Sequence, residues 1–306
     1  MQKVIVICGP TASGKTALSI ELANKINGEI VSADSMQIYK EMNVGTAKPS
    51  KEEMQGIKHY LIDCVEPTRR YSVSDFKNDA IKAIEKILED RKNPIVVGGT
   101  GLYVNSLIYG IDYPEINTDF EYRKKLEERA EREGLEKLYE EAYRIDEEAM
   151  KSISHNDKKR ILRVLEIFKE TGKTKTQVEI ESKKNGIKYD YRVFAIDMPR
   201  DVLYERINKR VDLMLENGLI EEVKNIYEKY GKELITSIQA IGYKEVIEYL
   251  EGRYSKEEMI EKIKMETRRY AKRQITWFKK IDNIIWLDST KGIKENVDTI
   301  IEKSEI

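Results

Sequence analysis

The sequence predicts an α/β protein whose core is a parallel sheet, with a mostly helical segment inserted into it. Short runs of β-branched residues alternate with segments of helical periodicity in the first hundred residues and again near the carboxyl end. Alternating strands and helices form parallel sheets with covered faces. Residues 119–185 are charged, rich in tyrosine and helical in pattern, without a strand signal. We therefore expect a core at 1–112 and 189–306 and an insertion at 113–188.

The individual elements of the core follow from local patterns. The expected strands are 3–8, 29–33, 95–97, 193–196 and 284–287. The expected helices are 15–26, 74–90, 200–217, 219–230 and 256–280. A serine opens the second helix as an N-cap, and Pro94 follows its end. Gly218 lies just past a periodic run and is expected to end that helix as its C′ residue.

Composition excludes several classes of protein. The 306 residues carry 54 basic and 55 acidic side chains, so the net charge of −1 predicts no acidic partner by itself. No apolar run approaches the roughly 20 residues that a membrane-spanning helix needs, and the first residues resemble a buried strand more than a secretory signal. Cys8 and Cys64 are too few for a disulfide framework or a four-cysteine zinc site. We expect a cytoplasmic protein without membrane contact.

The charges are distributed unevenly along the chain. Residues 112–150 hold 14 acidic and 7 basic side chains, whereas residues 151–184 hold 5 acidic and 10 basic ones. Residues 268–280 hold six basic side chains and no acidic one. Two basic patches and one acidic patch are therefore hidden in a nearly neutral total.

The strongest motif is a phosphate-binding loop between the first strand and the first helix. It consists of Gly9, Pro10, Thr11, Ala12, Ser13, Gly14, Lys15 and Thr16, which match G-x-x-x-x-G-K-[ST]. Glycines let backbone N–H groups surround phosphate oxygens, and the helix N-terminus adds partial positive charge. Lys15 supplies a mobile charge, and the Thr16 hydroxyl can bind Mg²⁺. The alternative is a glycine-rich turn without a ligand, and the motif does not say which phosphate compound is bound.

Two further segments follow predicted strands and should reach the same sheet edge. Asp34 follows the second strand, where a carboxylate can act as a general base or hold magnesium. The alternative is a plain helix cap. Gly98, Gly99, Thr100 and Gly101 follow the third strand and permit close backbone approach beside a hydroxyl, although a tight turn without a ligand explains them equally well.

Cations at helical spacing provide candidates for anion binding. Arg206 and Arg210 lie four residues apart on one helix and can neutralise charge on a leaving group. The alternative for both is surface pairing with Glu205, Asp212 or Glu216. His59 and His155 have no partner at ligand spacing and are interpreted as non-metal residues.

Two basic stretches are candidates for nucleic-acid binding. One comprises Lys158, Lys159, Arg160 and Arg163 at the start of a helix. The other comprises Arg268, Arg269, Lys272, Arg273, Lys279 and Lys280, interleaved with Tyr270, Trp277 and Phe278. Such cations neutralise phosphates and aromatic rings stack on exposed bases. The alternative is a solvated helix face with Trp277 and Phe278 in the core.

Taken in order, these motifs resemble one family. The motifs of tRNA dimethylallyltransferases are similar to GPTASGKT at 9–16, DSMQIYKEMNVGTAKP at 34–49, VVGGTGLY at 96–103, RVDLMLENGLIEEV at 210–223, IGYKE at 241–245 and AKRQITWF at 271–278. The resemblance spans about residues 3–290. These 306 residues contain no Cys/His zinc module of the eukaryotic members, which predicts the bacterial form.

The resemblance implies a P-loop kinase-like core, and an activity. The family transfers a dimethylallyl group from dimethylallyl diphosphate to N6 of adenine 37, in tRNAs that read codons starting with U. Mg²⁺ is the implied cofactor, the helical insertion is implied to contact the anticodon stem-loop, and a monomer is expected. The P-loop is implied to hold the diphosphate of the prenyl donor.

The resemblance also implies roles for individual residues. Asp34 is the implied general base, and Thr100 and Arg210 are implied to orient and neutralise the diphosphate. Implied tRNA contacts are Asp34, Ser35, Met36, Gln37, Thr100, Arg123, Lys159, Arg160, Ile161, Leu162, Arg163, Gln239, Ala240, Ile241, Gly242, Tyr243, Lys244, Lys272, Arg273, Gln274, Thr276, Trp277 and Lys279. Lys159 stands where many relatives carry Gln or Arg, and the match around Arg123 is poor.

Other functions remain to be distinguished. The principal alternative is a P-loop small-molecule or nucleoside kinase, which needs ATP. A nucleotide-gated RNA-binding module would bind tRNA without a covalent product. A prenyltransferase acting on free adenine nucleotides would leave the insertion and the basic patches without a use.

Overall fold

The computed structural model describes residues 1–112, 120–184 and 186–306, and over these the chain forms two compact units. The first unit contains Met1–Ile108 and Lys188–Ile306, and the second contains Tyr109–Ile187. The second unit begins four residues earlier than the sequence predicts, since the last core helix before it ends at Ile108.

The first unit is built on a parallel sheet, which among the described residues has six strands. They are β1 (Lys3–Cys8), β2 (Gly28–Ser32), β3 (His59–Tyr60), β4 (Asn93–Gly98), β5 (Asp190–Asp197) and β6 (Ile285–Asp288). Their order across the sheet is β3-β2-β4-β1-β5-β6. Strands β2, β3 and β4 lie on one side of β1, and β5 and β6 lie on the other. The strand order therefore reverses at β1, and ligands of open α/β sheets bind at the carboxyl end of such a reversal.

Helices cover the sheet and extend the first unit. They are α1 (Lys15–Ile26), α2 (Val73–Glu89), α3 (Gly101–Ile108), α9 (Arg200–Glu216), α10 (Leu219–Tyr230), α11 (Tyr243–Leu250), α12 (Lys256–Phe278) and α13 (Ile293–Ser304). Two short 3-10 turns lie at Gly231–Glu233 and Ser237–Gln239. No described helix combines the length and the apolar character that crossing a membrane requires.

Burial on both faces explains the apolar character of the central strand. All side chains from Val4 to Cys8 are fully buried. Ile5 and Ile7 pack with Leu22 of α1 and Val297 of α13 in one cluster. A parallel sheet covered in this way needs continuous apolar strands, as the sequence analysis assumed.

The second unit is helical throughout its described residues. Its helices are α4 (Phe120–Glu133), α5 (Leu135–Ile145), α6 (Glu147–Met150), α7 (Lys158–Thr171) and α8 (Lys175–Glu181). α4, α5 and α7 share an apolar cluster that includes Leu126, Leu138 and Leu165. The expected helical character of this segment is confirmed where it is described; residues 113–119 and 185 lie outside the described part.

The α/β prediction is confirmed, with small differences at element ends. The predicted strands and helices are present with shifts of a few residues, and Gly218 follows α9 with a φ of 90° as a C′ residue should. Helices α3, α11 and α13 and the two-residue strand β3 are not predicted by the sequence pattern. α3 (GLYVNSLI) is apolar on nearly every side and therefore shows no helical period.

Candidate active site

The strand register brings the predicted site segments to one sheet edge. Cys8 at the end of β1 pairs with Gly98 of β4 and with Ala195 of β5. Ser32 at the end of β2 pairs with Val97. The P-loop, Asp34 and Thr100 each follow one of these strands, so the three segments emerge side by side at the carboxyl edge.

The P-loop adopts the backbone that anion binding requires. Gly14 has a φ of 93° and precedes the first turn of α1, and Ala12 is left-handed with a φ of 63°. A non-glycine residue in this region is held there at a cost, which is common in ligand-binding loops. The hydroxyl of Ser13 is buried and has no partner among the described atoms.

Lys15 folds back over its own loop. Its Nζ donates to the carbonyls of Gly9 at 3.0 Å and Pro10 at 2.7 Å. Burial, followed by the neighbouring Arg210 guanidinium, lowers the pKa of Lys15 to about 8, while Asp34 acts in the opposite direction. Lys15, Arg210 and Asp34 are therefore electrostatically coupled, and a bound anion would relieve the repulsion between the two cations.

Asp34 and Thr100 are joined by backbone and side-chain contacts between their turns. Asp34 Oδ1 accepts from the N–H groups of Met36 at 2.9 Å and Gln37 at 3.2 Å. No bond to Oδ2 is found among the described residues. The Thr100 hydroxyl accepts from the Ser35 N–H at 3.0 Å. Asp34 thus closes a turn with one oxygen, as the capping alternative foresaw, and has the other oxygen available.

Gly98 is required by the approach of these turns. A Cβ built on Gly98 would lie 2.1 Å from the carbonyl oxygen of Ala33. That carbonyl accepts from the Thr100 N–H at 3.2 Å, and the Ala33 N–H donates to Val97 at 2.7 Å. The glycine therefore allows the residues before Asp34 to pack directly against the residues before Thr100.

The two arginines of α9 differ in burial. Arg210 is partly buried, its Nη2 donates to the Thr46 carbonyl at 3.4 Å, and its Nε is buried without a partner in the described part of the chain. Burial lowers the pKa of Arg210, and Asp34 opposes that shift. Arg206 is exposed.

The structure does not show the alternative for Arg210, which is an ion pair with a neighbouring acidic residue at the surface. Glu205 pairs with Lys209 at 3.2 Å and Asp212 with Lys264 at 2.7 Å. Among the described residues Arg210 has no ion pair with either, nor with Glu216.

Helix α12 contributes two residues behind the loops. Gln274 is 5% exposed, its Oε1 accepts from the Thr11 N–H at 2.9 Å and its Nε2 donates to the Gly99 carbonyl at 2.9 Å. The Tyr270 hydroxyl lies near the side chains of Thr100 and Gln274, and burial raises the pKa of Tyr270 to about 12. A phenol with this pKa is protonated at neutral pH and can donate a hydrogen bond.

These segments enclose a cavity of about 650 Å³. Its walls include Thr11–Thr16 of the P-loop, 34–37, 239–242, Arg210 and Arg273. Leu213, Met214 and Ile263 add an apolar side. The cavity therefore joins an anion-binding end, a carboxylate and an apolar wall in one space.

Comparison with known proteins identifies the family. A family model described as IPP transferase matches residues 37–281. The chain is 51% identical over 303 residues to a tRNA dimethylallyltransferase of Acetivibrio thermocellus, covering 97% of this chain and 96% of that one. It is 47% identical to a tRNA dimethylallyltransferase of Bacillus cytotoxicus, covering 96% and 92%. The chain belongs to the IPP transferase family. The expected resemblance is confirmed, and the protein is a transferase.

Solved structures of IPP transferases share the fold. A tRNA isopentenylpyrophosphate transferase of Bacillus halodurans gives a TM-score of 0.74 at 42% identity, covering 100% of this chain and 97% of that one. A eukaryotic dimethylallyltransferase acting on tRNA gives 0.80 at 34% identity, with coverage of 100% and 78%. The P-loop kinase-like expectation is confirmed, and the comparisons do not favour the kinase alternative.

Within this IPP transferase most predicted core residues meet at the cavity, but several predicted tRNA contacts have buried side chains. Ala240 is 4% exposed, Tyr243 2%, Ile161 0% and Leu162 1%. The side chains of these four residues are buried, so any contact that they make with RNA would be through their backbone. Gln274 is likewise occupied on both sides by protein. The family resemblance implies tRNA contacts over contiguous ranges of sequence, and a range that lies on a helix includes buried positions as well as exposed ones.

The carboxyl end of α12 has an exposed face. Lys272, Arg273, Thr276, Trp277 and Lys279 are exposed, whereas Gln274 and Phe278 are buried. Trp277 is 38% exposed and lies against Gly101, so the alternative that places both Trp277 and Phe278 in the core holds for Phe278 alone. Arg273 also lies 5.7 Å from the Tyr270 ring.

In the second unit, the predicted cations are organised by one acidic residue. Glu166 is 4% exposed and accepts from Arg123 at 3.1 Å and Arg163 at 3.3 Å. Lys159 is exposed, and Arg160 pairs with Asp157 at 3.3 Å. Glu166 thus holds two arginines from different helices side by side.

Magnesium chemistry is compatible with the loop. Thr16 is exposed at the first turn of α1, and its hydroxyl has no partner among the described residues. No group of three or more His, Cys, Asp or Glu within the described part could hold a metal ion alone. Mg²⁺ bound through substrate phosphates needs only one or two protein ligands, so Thr16 fits.

Three functional positions were not recognised from sequence. Tyr270 was noted only as an aromatic residue in a basic stretch, and Gln274 as an RNA contact. Glu222 was not singled out, although it contacts a loop of the cavity wall. Tyr270 and Gln274 approach residues of the P-loop and of the turn at Thr100 that lie from 170 to 263 positions away in the chain, which no local pattern reveals.

Proposed function

We propose that this enzyme transfers a dimethylallyl group from dimethylallyl diphosphate to N6 of adenine 37 in tRNAs that read codons starting with U. The observation that carries this proposal is the single cavity in which the P-loop, Lys15, Arg210 and the unbonded oxygen of Asp34 meet. Relatives named tRNA dimethylallyltransferase support the choice of substrates.

The diphosphate of the donor would lie against the P-loop. The backbone N–H groups after Thr11, the Lys15 ammonium and the Arg210 guanidinium face the leaving group. As the bond between C1 and the bridging oxygen breaks, the electron pair stays on diphosphate, and these groups stabilise its charge. Mg²⁺ held by Thr16 and diphosphate oxygens would add positive charge at the same place.

The adenine would enter the cavity from the tRNA loop. Unstacking one base costs about a few kcal/mol and least in a loop. N6 attacks C1 of the allyl group, and its proton goes to Oδ2 of Asp34 as the N–C bond forms. Thr100 would orient the donor next to Ser35, and 34–37 and 239–242 would line the approach of the base.

Side chains outside the cavity, most of them basic, would hold the rest of the tRNA. We place contacts at Lys272, Arg273, Thr276, Trp277 and Lys279 on α12, at Lys244, and at Arg123, Lys159, Arg160 and Arg163 of the insertion, which would contact the anticodon stem-loop. Because phosphate contacts release counterions, this binding should depend on salt. We also propose a monomer that acts in the cytoplasm, where its tRNA substrates are found.

The test is mass spectrometry of nucleosides from tRNA incubated with enzyme, dimethylallyl diphosphate and Mg²⁺. The proposal predicts one adenosine heavier by a dimethylallyl group, located next to the anticodon. Incubation with ATP instead separates the kinase alternative. Phosphate transfer from ATP to a small molecule, with no prenylated adenosine, would overturn the proposal.

A further inference from the structure

A glutamate outside the cavity fixes the loop on which Arg210 rests. The loop at 43–47 joins the turn after Asp34 to the rest of the core, and Gly45, Thr46 and Ala47 line the cavity. Glu222, on the first turns of α10, reaches this loop from behind.

The Glu222 carboxylate collects four donors. Its Oε2 accepts from the N–H groups of Asn43 and Val44, both at 2.8 Å. Its Oε1 accepts from the Gly45 N–H at 3.0 Å and from the Tyr243 hydroxyl at 2.5 Å. Hydrogen bonds to a carboxylate are stronger than those between neutral groups, so the loop is held by several strong bonds to one side chain.

Packing fixes the same loop from the other side. Tyr243 is 2% exposed, and a Cβ on Gly45 would lie 2.4 Å from its ring. The Gly45 backbone therefore lies in direct contact with the ring whose hydroxyl bonds Glu222. Any shift of the loop would break both contacts.

The far side of the loop faces the reaction. The Thr46 carbonyl accepts from Arg210 Nη2 at 3.4 Å and from Gln37 Nε2 at 3.1 Å, and Gln37 Nε2 also reaches the Ala47 carbonyl at 3.1 Å. The buried Arg210 Nε has no partner in the described part of the chain, so Thr46 is the contact that orients the guanidinium.

We propose that Glu222 is a positioning residue: it fixes the loop at 43–47 so that the Thr46 carbonyl holds Arg210 toward the diphosphate. This inference rests on the proposed function, since it takes diphosphate as the group that Arg210 faces. Glu222 itself touches no substrate in this account and acts only through the loop.

The test is a double-mutant cycle between Glu222 and Arg210, with inorganic diphosphate as the probe and calorimetric Kd as the readout. Glu222→Gln replaces one carboxylate oxygen by an NH2 group. This group is a donor and cannot accept the hydrogen bonds of the backbone N–H groups that it faces. We expect a Kd about 10-fold weaker in the wild-type background. In the Arg210→Ala background we expect the same change to alter Kd less than about twofold, because the residue it positions is gone.

Glu221→Gln is the matched control, since Glu221 lies in the same helical turn, is exposed, and makes no bond to the loop among the described residues. It should leave Kd within about twofold of wild type in both backgrounds. Tyr243→Phe removes one donor without opening a cavity, and should weaken diphosphate binding in the same Arg210-dependent way. Tyr243→Phe takes the place of Glu222→Gln in the double-mutant cycle where the Glu222 variant does not fold.

Equal effects in the two backgrounds, or no effect of either variant on wild-type Kd, would overturn the inference. The calorimetric Kd for inorganic diphosphate is measured without prenyl transfer, so the two proposals can fail separately. An enzyme that shows the Arg210-dependent coupling but forms no prenylated adenosine would contradict the proposed function and leave the role of Glu222 intact.

Discussion

Gln274 accepts a hydrogen bond from the backbone N–H of Thr11 at 2.9 Å, across 263 positions of sequence. Its other amide atom donates to the Gly99 carbonyl at 2.9 Å. One buried side chain of α12 therefore ties the P-loop to the turn that carries Thr100. It also occupies the Thr11 N–H, so this amide of the loop is not available to a bound anion.

Gln274→Glu should impair the donor site while sparing tRNA binding. A glutamate can still accept from Thr11 but cannot donate to Gly99, and it brings negative charge toward the carbonyl and Asp34. We expect kcat/KM for dimethylallyl diphosphate to fall about 10- to 100-fold, with tRNA Kd changed less than about threefold. Steady-state kinetics and filter binding measure the two quantities.

Glu261→Gln on the exposed face of α12 is the control for a charge change on the same helix. Weakened tRNA binding by Gln274→Glu, with an unchanged donor KM and kcat, would restore the role that the sequence resemblance gave to Gln274.

Gly98→Ala should destabilise the core and the site together. The new Cβ would lie 2.1 Å from the Ala33 oxygen and 2.4 Å from its carbon, which are backbone atoms that cannot rotate away. We expect about 1–3 kcal/mol loss in the free energy of unfolding, measured by urea denaturation, and a lower kcat because Asp34 and Thr100 move apart.

Gly292→Ala is the matched control. Gly292 has a φ of −62° and no atom within 4 Å of a built Cβ, so its free energy of unfolding should change by about 0.5 kcal/mol or less. Similar costs at both positions would show that the packing of Gly98 is not tight.

Donor affinity should decrease as pH rises through about 8, where Lys15 loses its proton. The pKa of Lys15 in the free enzyme lies below the ordinary value of 10.5, so the ammonium is fully present only at lower pH. A bound diphosphate raises that pKa, and binding near pH 8 should take up protons. Calorimetric Kd for dimethylallyl diphosphate between pH 7 and pH 9.5, without tRNA, measures the effect.

Lys15→Arg keeps the charge but does not titrate in this range, so its affinity should be nearly independent of pH there. A wild-type profile as flat as that of Lys15→Arg would show that Lys15 does not titrate at the site.

Lys272→Ala combined with Lys279→Ala should reduce the salt dependence of tRNA binding. Both side chains are exposed near the carboxyl end of α12. If each contacts one phosphate, the slope of log K against log salt should decrease by about 1–2. The control is Lys224→Ala on α10, whose side chain pairs with Glu228 at 3.8 Å. An unchanged slope in the double variant would remove this helix face from the tRNA contact.

The parts of the fold that depend on local pattern could be predicted from sequence. β1 and the P-loop were located because a β-branched run, a glycine motif and a helix are adjacent in the chain. That Asp34 and Thr100 reach the same edge follows from the parallel sheet. Helical spacing alone could not choose between Arg206 and Arg210, since both lie on one side of α9. The family resemblance implied Arg210, and the packing of the loop at 43–47 partly buries that side chain.

Long-range contacts account for what the sequence did not reveal. Glu222 and Gln274 are ordinary polar residues on helices, and their backbone partners lie more than 170 positions away. Residues such as Ile161 were expected to contact RNA because a family resemblance implies contacts over contiguous ranges of sequence. Whether a side chain in such a range is exposed depends on how α7 packs on α4 and α5.

The most direct test of the catalytic account is the single-turnover rate of Asp34→Asn with saturating dimethylallyl diphosphate and tRNA. Asparagine retains the oxygen that closes the turn at Met36 and Gln37 but cannot take up the N6 proton. We predict a rate lower by about 10²–10⁴-fold, with Kd for tRNA and for diphosphate within about threefold of wild type. A rate within tenfold of wild type would contradict the assignment of Asp34 as the general base.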